Sequence, residues 1–78
     1  MEKTDEAISQ YLKAARQADD AMLSPIYFKK AGEAYIHSEN YEKAIETFTQ
    51  IREKYINSPE GQEADKFIKQ AELLKESK

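Results

Sequence analysis

Cysteine and tryptophan are absent from this 78-residue chain, which holds one histidine, two glycines and two prolines. Each scarcity closes off a class of chemistry. Without cysteine there is neither a disulfide framework nor thiolate-bound zinc, and the compartment cannot be read from redox chemistry. A lone His37 cannot make a His-Glu-x-x-His metal pair, and no glycine-rich phosphate loop occurs. So few glycines and prolines disfavour a strand-rich fold with many tight turns. The longest stretch without charge, Ala21 to Phe28, falls far short of the roughly 20 residues of a membrane span, and no signal-peptide core follows Met1. Nor does positive charge dominate. Fifteen acidic and 12 basic residues are interspersed to a net charge of −3, leaving no basic stripe for a phosphate backbone. Neither nucleic acid nor membrane insertion is expected of this segment.

Ala, Glu, Lys and Gln fill the remainder, so long helices are expected. A chain of this length buries only about 60% of its unfolded surface, which makes it one domain over residues 1–78 of modest stability. Apolar residues recur at three- and four-residue steps in four blocks. The first, Thr4 to Asp20, lines up Ala7, Ile8, Tyr11, Leu12, Ala15 and Ala18, with Thr4 as its cap and Asp5 and Glu6 at the positive end of its dipole. The second starts at Ser24-Pro25, serine capping and proline filling a first-turn position, and carries Phe28, Ala31, Ala34 and Tyr35 to His37. Ser38-Glu39-Asn40 is a short turn in which Asn40 either turns left-handed or caps the third block.

That third block, Tyr41 to Tyr55, aligns Tyr41, Ala44, Ile45, Phe48, Ile51 and Tyr55. Asn57-Ser58-Pro59 repeats the stop and start chemistry, and Glu60 to Glu76 carries Ala64, Phe67, Ile68, Ala71 and Leu74. Short connections make sequential helices antiparallel, so the fold class is all-α, an up-down array of helical hairpins.

The chain is weakly similar to itself. Ala7-Ile8-x-x-Tyr11 recurs as Ala44-Ile45-x-x-Phe48, and Ser24-Pro25 recurs as Ser58-Pro59, 34 residues later. The stretch from Pro25 to Ser58 resembles the tetratricopeptide repeat, whose aromatic, small residue beside glycine, tyrosine, alanine, phenylalanine and proline stand here as Phe28, Ala31-Gly32, Tyr35, Ala44, Phe48 and Pro59. Tyr41 also fits that pattern. Gly32 lets the two helices of the hairpin approach, with Ala44 small opposite it.

The resemblance implies a right-handed superhelical stack in which residues 4–20 are the second helix of a partial repeat, 25–58 one complete repeat and 60–76 a divergent capping helix. Its concave face would carry Ile26, Lys29, Glu33, Ile36 and His37, and its function would be protein binding or scaffolding. Glu33 stands where a carboxylate-gripping member would want asparagine, so a mixed apolar and charged groove for a peptide or helix is expected instead. The chain looks like the C-terminal segment of a bacterial protein of this family, cytoplasmic or envelope-associated. A piece of a longer array is favoured because Met1 opens onto half a hairpin. The alternative is a structural end-cap or self-association segment, monomeric or weakly dimeric through the uncovered face of the first helix.

No enzyme and no cofactor are expected. Glu33 and His37, four residues apart, supply at most one edge of a metal site, and His37 suits the C-terminal end of its helix dipole. Asp19-Asp20, Glu39 and Glu42 read as solvated charge, and Lys29 with Glu33 as an ordinary surface ion pair. The five tyrosines and three phenylalanines fall mainly at core spacing, with Tyr27 and Tyr55 left open.

Overall fold

Strong helix formers run almost unbroken between Glu2 and Glu76, and in a computed structural model, which describes residues 2–77 with side chains from Asp5 onward, nearly all of them are helical. The elements are α1 (Glu2–Ala18), α2 (Leu23–His37), α3 (Tyr41–Lys54) and α4 (Pro59–Glu76), with no strand among the described residues. The expected all-α fold is present. Two boundaries differ from expectation. Thr4 lies inside α1 rather than capping it, because the helix formers Glu2 and Lys3 ahead of it continue the helix.

The second difference lies between α1 and α2. Asp19 takes a left-handed conformation (φ 41°), and the Asp20 carboxylate accepts the Met22 and Leu23 N–H groups at 2.7 and 3.0 Å. Asp20, not Ser24, therefore satisfies the first orphan amides of α2. These hydrogen bonds, Leu23 before Met22, hold the Asp20 carboxyl below the ordinary aspartate value. Ser24 is fully buried one turn on, donating to the Ala15 carbonyl at 2.7 Å and accepting the Asp20 N–H at 3.0 Å. Pro25 is buried within the first turn of α2, where no N–H is needed.

The later connections follow the expected chemistry. Glu39 is the left-handed residue of its turn (φ 64°), and the Asn40 side chain accepts the Lys43 N–H at 3.4 Å. Ser58 caps α4, accepting the Gly61 N–H at 2.9 Å and donating to the Tyr55 carbonyl at 2.7 Å, with Pro59 directly after it.

One core runs through α1 to α4, made of Ala15, Phe28, Ala44, Phe48, Ile51, Ala64, Ile68 and Ala71. Phe48 stacks on Phe67 at 4.9 Å and 13°, and Phe28 lies 6.2 Å from Tyr55 between ring centroids. Gly32 leaves room for this packing, since a Cβ there would lie 2.6 Å from the Phe48 ring and the ring would have to shift. Gly61 is a second close approach, against the Tyr55 carbonyl oxygen. Of the other signature residues, Ala31 is buried, Tyr35 and Tyr41 are half-buried, and Pro59 is exposed.

α3 packs against both α2 and α4, and α2 also touches α4, whereas α1 packs on α2 alone among the described residues. A closed four-helix bundle would bring α1 against α4. The helices instead form an open slab of 35 × 28 × 13 Å.

Candidate protein-binding face

α2 meets α1, α3 and α4, and its C-terminal end shares an open hollow with α4. All five expected concave-face residues belong to α2, and none is fully buried. They do not act as one group. Glu33, Ile36 and His37 join Phe67 and Gln70 of α4 around a hollow of about 200 Å³. Ile26 is 38% exposed but lies toward the other end of α2 and does not line it.

Lys29 has a different partner from the one expected. Its ammonium reaches Glu63 of α4 at 3.7 Å and stands over the Phe67 ring, 5.3 Å from the centroid, so the expected Lys29–Glu33 pair does not form. The reason is the neighbouring helix. It offers a carboxylate and an aromatic face together, which outweighs a lone carboxylate one turn along the same helix. Glu33 is left without an ion-pair partner among the described residues.

The floor of the hollow is apolar and its rim is polar. Ile36 and Phe67 are half-buried, while Glu33, His37 and Gln70 are exposed. Phe67 is held in place by its stack on Phe48, and the last turn of α2 is fixed by the turn that follows. There the Ser38 N–H donates to the Ala34 carbonyl, Glu39 to Ile36 and Asn40 to Tyr35, at 3.0, 3.0 and 2.8 Å. The hollow thus lies at the negative end of the α2 dipole. At this size it takes one or two side chains rather than a whole small molecule.

Reading the sequence alone missed the α4 half of this face. Helical spacing places Phe67 on the core stripe of α4, against which it does pack, and assigns no partner on α2 to Glu63 or Gln70. Their spacing from Phe67, four residues before and three after, puts all three on one face of α4. What was lacking was the pairing of that face with α2.

Other charged side chains hold the helices. Asp20 caps α2, Glu42 pairs with Lys75 at 3.1 Å, and Arg52 binds Asp65 at 2.6 Å. The Asp65 carboxylate raises the Arg52 pKa above its ordinary value and ties α3 to α4. Among the described residues no group of three or more His, Cys, Asp or Glu could hold a metal ion, and no helix is long and apolar enough to cross a membrane. No family model, curated protein or solved structure matches the chain.

Proposed function

We propose that this chain is a protein-interaction module of the tetratricopeptide type, holding a peptide or helix of another protein along the face shared by α2 and α4. The observation that carries this reading is the hollow in which Glu33, Ile36 and His37 meet Phe67 and Gln70. An apolar floor inside a polar rim suits the anchor side chain of a docked segment. The repeat reading draws support from the open order of the helices, with α2 beside α4 and α1 beside α2 alone. No residue is given a catalytic role and no cofactor is invoked.

Photo-crosslinking tests the face directly. A benzophenone side chain at Gln70 is expected to form adducts with a second protein. The same group at Ser9, exposed on α1, is expected to form none. Equal adducts from both positions would remove the face assignment.

A second reading has its own observation. Ala7, Tyr11, Ala14 and Ala18 on α1 are only half-buried, and Leu23 at the start of α2 is 49% exposed. This outer face suits self-association or the rest of a longer array. Sedimentation decides the first possibility: a mass that rises with concentration favours a dimer, and a constant monomer mass rejects it.

A further inference from the structure

We propose that the hollow at the end of α2 selects a cationic side chain next to an apolar one, so that the docked segment is basic and amphipathic. This rests on the α2 and α4 face being the binding surface, and adds which partner chemistry it accepts.

Charge complementarity carries the inference. Glu33 is the one carboxylate lining the hollow and has no ion-pair partner among the described residues. The negative end of the α2 dipole lies beside it, adding to its attraction for a cation. Lys29, the cation nearest this face, is already engaged by Glu63 and the Phe67 ring. Lys30, Lys66 and Lys69, the next lysines along the two helices, do not line the hollow. The Gln70 amide and the His37 imidazole complete the rim as hydrogen-bonding groups.

Ile36 and Phe67 supply the apolar half. With the Phe67 ring stacked on Phe48 and covered by the Lys29 ammonium, Ile36 and the exposed part of Phe67 meet an aliphatic side chain whose neighbour reaches up to Glu33, a spacing that an extended strand or one helical turn provides equally. An acidic segment would meet a like charge and the wrong end of a dipole, and so would a free terminal carboxylate.

Three short blocked peptides of equal length provide the test, alternating leucine with arginine, with glutamine or with glutamate. Each is titrated into the isotope-labelled full chain while backbone amide shifts are followed. The arginine peptide is expected to shift Glu33, Ile36, His37 and Gln70, and to bind roughly fivefold tighter than the glutamine peptide, as a partly exposed ion pair allows. The glutamate peptide is expected to bind weakest. Glu33→Gln, a change on an exposed side chain, is expected to keep the folded spectrum and bring the arginine and glutamine peptides level.

Equal or tighter binding of the glutamine or glutamate peptide at the same amides would overturn the charge selection and leave the face standing. An arginine preference that survives Glu33→Gln would overturn the assignment to Glu33. If none of the three peptides moves these amides, the charge selection and the binding face both fall.

Discussion

Single polar and single small residues decide how these helices meet. The Ser24 hydroxyl is fully buried and ties α2 to the end of α1 through Ala15 and to the connecting turn through Asp20. Ser24→Ala removes the partner of the Asp20 N–H and leaves the Ala15 carbonyl only the 3.4 Å bond from the Asp19 N–H, so a loss of about 1–3 kcal/mol is expected. Urea unfolding checks this, and an unchanged midpoint would contradict it. Gly32→Ala is expected to cost up to about 2 kcal/mol, because overpacking of roughly 1–3 kcal/mol outweighs a helix-propensity gain near 1. In a Phe48→Leu background, where space is freed at the ring, Gly32→Ala should cost less. Gly61→Ala meets a backbone carbonyl that cannot rotate away, and is expected to cost more than Gly32→Ala in the same titration. Asp20 gives a pH signature. Its pKa is lowered on folding, so its contribution is complete above the ordinary aspartate value of about 3.9 and fades as the pH falls through the lower folded value. Asp20→Asn can still cap the helix but does not titrate, so its acid unfolding curve should be flatter below about pH 4 than that of the parent.

At the scale of elements, α1 is the least supported helix. It packs on α2 alone, whereas α3 lies between two neighbours. Hydrogen exchange should therefore release the α1 amides first and those of α3 last. Uniform protection along the chain would show α1 to be as firmly held as the rest. The four elements were legible because each carries a 3.6-residue apolar stripe: every residue expected to face inward from α3, for example, is buried or half-buried. The start of α4 was also legible, since Ser58-Pro59 is local chemistry. The identical pair Ser24-Pro25 misled, because burial against Ala15 gave the serine a tertiary partner and the capping role passed to Asp20. Gly61 was overlooked for a related reason, as its neighbour is the backbone of the preceding turn.

At the scale of the molecule, an open slab leaves two helical faces that a closed bundle would have covered. On the α2 side of the candidate face, Glu33, Ile36 and His37 could be named from the repeat resemblance. The α4 side depended on contacts more than 30 residues apart in sequence, Lys29 with Glu63 among them, and spacing within one helix cannot reveal these. The same contact corrected the expected Lys29–Glu33 pair and left Glu33 open to a partner. Reversing that carboxylate with Glu33→Lys is expected to weaken capture of a basic segment about tenfold or more, a change of roughly 1.4 kcal/mol or above, without shifting the unfolding midpoint. The most direct test of the binding face is the amide footprint of a captured partner. Shifts concentrated on Lys29 to His37 of α2 and Glu63 to Gln70 of α4 are the expected result, and shifts confined to the outer faces of α1 and α3 would contradict it.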